Sequence, residues 1–124
     1  MPAALSMPAA AVAIFVAIQH VLFLVLEMFL FTKPLGLKTF RITKEQAETS
    51  KVLAQNQGLY NGFLAAGLVW GVARGDVMAV TFFLVCVVVA GAFGAVTTKS
   101  GRLFLIQGVP ACVGLALLVA ARAS

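Results

Sequence analysis

Val77–Thr98 reads VMAVTFFLVCVVVAGAFGAVTT, a run without one charged side chain. A helix that crosses a hydrocarbon core of ~30 Å needs about 20 apolar residues, and this run is long enough. Three comparable blocks accompany it: Ala9–Thr32, Val52–Ala73 and Leu103–Arg122. The whole chain of 124 residues is 62% apolar and 10% charged, whereas a soluble domain is roughly half apolar and a quarter charged. The expected fold is therefore all-α, a single four-helix transmembrane bundle over residues 1–124 with spans at about 9–32, 52–73, 77–98 and 103–122. The first block reads as a retained helix rather than a signal peptide. No Lys or Arg precedes it, and it exceeds the apolar run of about 7–15 residues found in signal sequences.

The formal charge of +5 is distributed as a topology signal rather than as a nucleic-acid surface. Lys33, Lys38, Arg41, Lys44 and Lys51 fall between the first two blocks, and Lys99 and Arg102 between the last two. Only Arg74 and Arg122 fall on the other side. By the positive-inside rule the basic loops are cytoplasmic and both termini face outward, as expected for a multi-pass protein of a bacterial inner membrane. No nucleic-acid-binding motif accompanies the charge. The two cysteines, Cys86 and Cys112, form no CxxC and have no His or carboxylate at ligand spacing beside them, so no metal site is expected and both read as small core residues.

Local signals place the helix ends. Ser6-Met7-Pro8 suits the start of the first helix, and Lys33-Pro34 with Gly36 should stop it. Leu35, Leu37, Phe40 and Ile42 alternate with bases in the loop that follows, a pattern suited to the headgroup surface. Thr43-Lys44-Glu45-Gln46 matches a capping box, so the second helix should begin at Lys44 and extend well before its apolar part. Arg74-Gly75-Asp76 reads as a tight turn with Trp70 close by, at interface depth.

The polar residues inside these blocks carry the functional information. Gln55-Asn56-Gln57-Gly58-Leu59-Tyr60-Asn61 opens the second span. Amides withdrawn from water must find protein partners or ligands. At 100° per residue Asn56, Gln57, Tyr60 and Asn61 share one helix face, whereas Gly58, Gly62 and Ala66 form a small-residue stripe that admits a close neighbour. That stripe also makes a homo-oligomer plausible. Glu27 is the sole carboxylate inside any block, and His20 lies two turns before it on the same face. A carboxylic acid in hydrocarbon is a candidate proton carrier, and Glu27 with His20 is the candidate acid–base pair. With ~1.5 Å rise per residue, Glu27 lies ~7 Å, Asn56 to Asn61 roughly 6–14 Å and Gln107 about 8 Å inside the ends of their spans, all on one side of the bilayer. Thr97 and Thr98 close the third block at that same side. Pro110 removes a backbone hydrogen bond and should free the Ile106 carbonyl beside Gln107. Taken singly, Gln107, Thr97 and Thr98 suit helix cohesion, and His20 is balanced between a core donor and a relay. Glu27 with the amide cluster exceeds what cohesion requires.

Two resemblances follow from these residues. His20…Glu27-Met28-Phe29, the NQGxYN element at Asn56–Asn61 with Gly62-Phe63-Leu64-Ala65, Ala90-Gly91-Ala92-Phe93-Gly94 and Gln107-Gly108-Val109-Pro110-Ala111 resemble the small bacterial membrane family known as domain of unknown function 1304. That resemblance covers nearly the whole chain. It implies a four-span inner-membrane protein and no particular activity. More distantly, a long second helix with Asn56 and then Asn61-x-Phe63-Leu64 is similar to the membrane-associated eicosanoid and glutathione metabolism (MAPEG) superfamily, whose members are four-span, often trimeric, and bind glutathione and lipids. This likeness implies Asn56 and Asn61 as ligand contacts and Arg102 as a basic group at the start of the last helix. Tyr60 stands where that superfamily tends to have a carboxylate, and the second helix lacks its arginine cluster.

Three functions compete on the residues alone. In the first, Asn56, Gln57, Tyr60, Asn61 and Gln107 hold the polar head of a small amphiphilic or lipid-like molecule, with Glu27 and His20 available for acid–base work. In the second, Glu27 alternates between a proton and a cationic substrate, as in small multidrug transporters. In the third, the polar groups pair with one another in a structural subunit. A fluoride-type channel is disfavoured, because its threonine–phenylalanine motif is absent. The first reading is preferred. No residue pattern identifies the ligand, a cofactor or an enzymatic reaction.

Overall fold

Ser6 starts the first helix, α1 (Met7–Met28), by accepting the Ala9 N–H on its hydroxyl at 3.3 Å and the Ala10 N–H on its carbonyl at 2.9 Å. Those bonds occupy donors that a helix start leaves open. The computed structural model describes residues 4–98 and 101–123, and all regular structure among them is helical. They form two compact units. One runs from Ile18 to Ala65, and the other takes the chain up to Ala17 and from Ala66 onward.

In the Ile18–Ala65 unit, α1 ends at Met28, before the expected Thr32. The Leu30 N–H reaches the Val25 carbonyl at 3.2 Å, five residues back, and the Lys33 N–H bonds the Leu30 carbonyl at 3.0 Å. These wider turns release the chain ahead of Lys33, whose extended backbone (φ −89°, ψ 162°) is the conformation proline imposes on its predecessor. A short helix, α2 (Pro34–Phe40), follows with Pro34 in its first turn, where the missing N–H costs nothing. Gly36 is buried directly against the Leu30 and Phe31 carbonyls, and the Phe31 and Phe40 rings lie 5.4 Å apart. Arg41 ends α2 in the left-handed region (φ 56°, ψ 48°) with its N–H on the Leu37 carbonyl.

The capping box forms as its sequence predicts. Gln46 N–H donates to Thr43 Oγ1 at 3.1 Å, and Thr43 N–H donates to Gln46 Oε1 at 2.9 Å. Helix α3 (Lys44–Ala73) begins there. Gly58 and Gly62 do admit a close neighbour, namely α1 of the same chain. A Cβ at Gly58 would come within 2.5 Å of Met28 Cγ and 3.2 Å of the Leu24 carbonyl oxygen, and one at Gly62 within 2.8 Å of Leu24 Cδ1. The self-association expected of this stripe therefore has no free surface at Gly58, since the glycine is already buried.

In the other unit, α3 closes with the Asp76 N–H on the Gly71 carbonyl at 2.8 Å and Gly75 at φ +63°, a left-handed turn that glycine adopts without strain. Asp76 Oδ1 then accepts the Ala79 N–H at 3.1 Å and starts α4 (Val77–Thr98). The last block is not one regular helix. A turn, α5 (Gly101–Leu103), leads into a π-helical segment, Phe104–Gly108, and then into α6 (Val109–Ala123). Pro110 lies in the first turn of α6, so the backbone widens just before it, as helices do where a regular bond is lost. Ile106 and Gln107 each have a partner of their own. Helix α4 packs against the π segment and α6, with Gly91 close to the Gly108 backbone. Val16, Leu68, Val80, Leu84 and Val87 are fully buried in this unit.

Three described helices are long and apolar enough to cross a membrane: Met7–Met28, Val77–Thr97 and Phe104–Arg122. Only 28%, 22% and 22% of their apolar windows are buried, so their outer surfaces are hydrocarbon, as lipid requires. The expected span at 52–73 is not among them. With 30 residues α3 is long enough, but Gln55, Asn56, Gln57 and Asn61 reduce its apolarity.

Candidate functional site

Helix spacing in the Ile18–Ala65 unit sets which polar groups meet. Gly58 lets α3 approach the Leu24–Met28 turn of α1, and this brings Asn61, one turn further along, to the level of Glu27. The Asn61 carboxamide Nδ2 donates a hydrogen bond to Glu27 Oε1, across 34 residues of sequence. Both residues are half-buried. A carboxyl oxygen and an amide N–H so joined make a polar contact inside otherwise apolar packing, and Glu27 keeps its second oxygen for another donor.

The remaining members of the cluster point elsewhere. Asn56, Gln57 and Tyr60 lie on the exposed surface of α3, Tyr60 at 54% exposure with its ring 6.1 Å from that of Phe63. Only Asn61, at the edge of this polar arc, turns toward α1. Val52, Leu53, Leu59 and Phe63 share the exposed arc, so amides and a phenol alternate there with apolar side chains. His20 is fully buried, and its ring meets the edge of Phe23 with centroids 5.1 Å apart. Seven residues of α1 separate it from Glu27, roughly 10 Å along the axis, so the two cannot exchange a proton directly.

Gln107 belongs to the other unit, half-buried in the π segment and with a partner of its own. Thr97 donates to the Phe93 carbonyl at 2.8 Å, a bond within its own helix. The side chain of Thr98 lies outside the described residues. Arg102 is exposed in α5. Gln19 is a further polar residue within the first apolar block. Its amide oxygen is buried, and the residue has an interaction of its own. An amide inside an apolar block was the available signal, the same that marks Asn56 and Gln57. Among the described residues no three His, Cys, Asp or Glu side chains cluster at metal-binding distance. Cys86 is half-buried and Cys112 exposed, both as free thiols.

Comparison with known proteins places the chain without assigning it a reaction. Over 107 residues, 83% of this chain and 85% of the other, it is 29% identical to "Uncharacterized protein YpaA" of Lactococcus lactis subsp. lactis (strain IL1403). No solved structure matches it. The family model described as "Protein of unknown function (DUF1304)" matches residues 14–119, most of the chain and every residue of the Glu27–Asn61 unit, and the protein belongs to that family.

Proposed function

We propose that this is a four-span protein of the bacterial inner membrane that binds the polar head of a small amphiphilic molecule at the α1–α3 contact. The observation that carries this reading is the hydrogen bond from Asn61 to Glu27. It holds a carboxyl group at the edge of a helix face that also carries Asn56, Gln57 and Tyr60. In hydrocarbon those exposed amides need hydrogen-bond partners that lipid tails do not supply. A ligand head bearing both donors and acceptors satisfies them, while Val52, Leu59 and Phe63 on the same surface accept its apolar part. In this reading α3 is the fourth span, and its amides lower its apolarity because they serve the site. Glu27 acts as hydrogen-bond acceptor or proton carrier for the bound head. Any proton exchange with His20 passes through the ligand or a water, given their separation along α1.

Native mass spectrometry of the gently purified protein beside its Glu27→Gln variant tests this. The expected result is a discrete small molecule retained by the wild type and lost from the variant. An empty protein in both cases defeats the binding reading.

A further inference from the structure

The segment from Lys33 to Lys44 takes no part in the Glu27–Asn61 contact, yet it is the most strongly charged surface described. Lys33, Lys38, Arg41 and Lys44 are all exposed within twelve consecutive positions. Among the described residues none of their side chains enters an ion pair; the pair that is present joins Lys51 to Glu48 at 3.3 Å. Glu45 is the other nearby acid, so the segment keeps an excess of positive charge. It is also pre-folded rather than a free loop. Gly36 seats α2 on the Leu30 and Phe31 backbone, the Phe31 and Phe40 rings pack together, and Arg41 is fixed in a left-handed turn. On the outer side of α2, Lys38 lies beside Leu35, which is 56% exposed. A cation next to an exposed leucine, just beyond the end of an apolar helix, matches the chemistry of a membrane interface, where phosphate lies above the acyl chains.

We infer that Lys33–Lys44 is a headgroup-binding collar that takes anionic phospholipid. This rests on the reading that α1 crosses a bilayer with Met28 toward one of its surfaces. Each base held near an anionic leaflet strengthens association about fivefold, and salt screens the effect. Lys38 and Arg41 supply the phosphate contacts, and Leu35 inserts at the level of the first methylenes.

The test uses the full chain in an uncharged detergent, titrated with phosphatidylglycerol or with phosphatidylcholine, and counts bound lipid by native mass spectrometry. Phosphatidylglycerol should bind at least tenfold more tightly, with the preference shrinking as salt rises. Substituting Lys33, Lys38, Arg41 and Lys44 together by Gln should abolish the preference, and Lys38→Arg should keep it. Should the fourfold variant fail to fold, the pair Lys38→Gln and Arg41→Gly serves instead, because glycine accepts the left-handed turn. That pair should lower the preference about tenfold. Equal binding of the two lipids, or a preference that survives either set of substitutions, overturns the proposal. Displacement of phosphatidylglycerol by millimolar inorganic phosphate overturns it in favour of a free-phosphate site. Recovery of wild type and variant alike in the aqueous fraction of cells would instead defeat the membrane reading beneath it.

Discussion

Asn61 donates its carboxamide hydrogen to Glu27, joining α3 to α1 at the residue where α1 is about to end. Side-chain hydrogen bonds between helices in membranes contribute on the order of 1 kcal/mol, rarely as much as 2. A double-mutant cycle with Glu27→Gln, Asn61→Ala and both, read by unfolding in detergent, should give a coupling of about 1 kcal/mol. Strict additivity would show that the contact is incidental. Ligand retention, measured on the same variants, should fall with either substitution.

Gly58 and Gly62 lie on the same stripe but differ in what a methyl group meets. At Gly58 a Cβ faces Met28 Cγ at 2.5 Å and the Leu24 carbonyl oxygen at 3.2 Å, and a backbone oxygen cannot step aside. At Gly62 it faces Leu24 Cδ1 at 2.8 Å, the end of a flexible side chain. Replacing glycine by alanine inside a helix also contributes about 1 kcal/mol in favour of folding. Gly62→Ala should therefore be nearly neutral, whereas Gly58→Ala should cost about 1–3 kcal/mol through overpacking. Thermal melts of the two variants in one detergent check the order. A larger loss at Gly62 would contradict the packing described.

Thr43 and Gln46 satisfy one another's backbone donors at the start of α3. Thr43→Ala removes the side-chain acceptor and should cost about 1 kcal/mol, while Thr43→Ser should restore most of it. Because Thr43, Lys44, Glu45 and Gln46 are exposed, the loss should be local. Faster amide hydrogen exchange at Glu45 and Gln46, with the α1–α3 contact unchanged, is the expected signature.

Features governed by neighbours in sequence were legible before the structure. The Thr43–Gln46 box, the Ser6 start and the Arg74-Gly75-Asp76 turn depend on side chains within three residues of the backbone groups they serve. The apolar runs of α1, α4 and the last block were equally plain. The early end of α1 at Met28 was not, because α2 seats Gly36 on the Leu30 carbonyl, a contact that no local pattern encodes. Nor was the π segment, since Pro110 marks a lost bond without saying how the backbone absorbs it. Periodicity groups Asn56, Gln57, Tyr60 and Asn61 on one arc of α3 without saying which way that arc points. Helical periodicity gives relative angles only, and Gly58 packing is what turns Asn61 inward and leaves Asn56, Gln57 and Tyr60 outside.

Whether α3 crosses the bilayer decides the amphiphile reading. Its 30 residues extend roughly 45 Å, more than the ~30 Å core. Its apolarity falls below that of the other three candidate spans because of the amides. In a background with Cys86→Ala and Cys112→Ala, single cysteines at Lys38 and Arg74 mark the two ends of the segment, and both positions are exposed. If α3 spans, a membrane-impermeant maleimide applied to intact cells should label one position and not the other. The protected one, expected to be the cysteine at Lys38 by the positive-inside rule, should react once the membrane is opened. Labelling of both positions from the same side would return α3 to a surface helix. Its amides would then be solvated by water, and nothing would remain for a ligand head to satisfy.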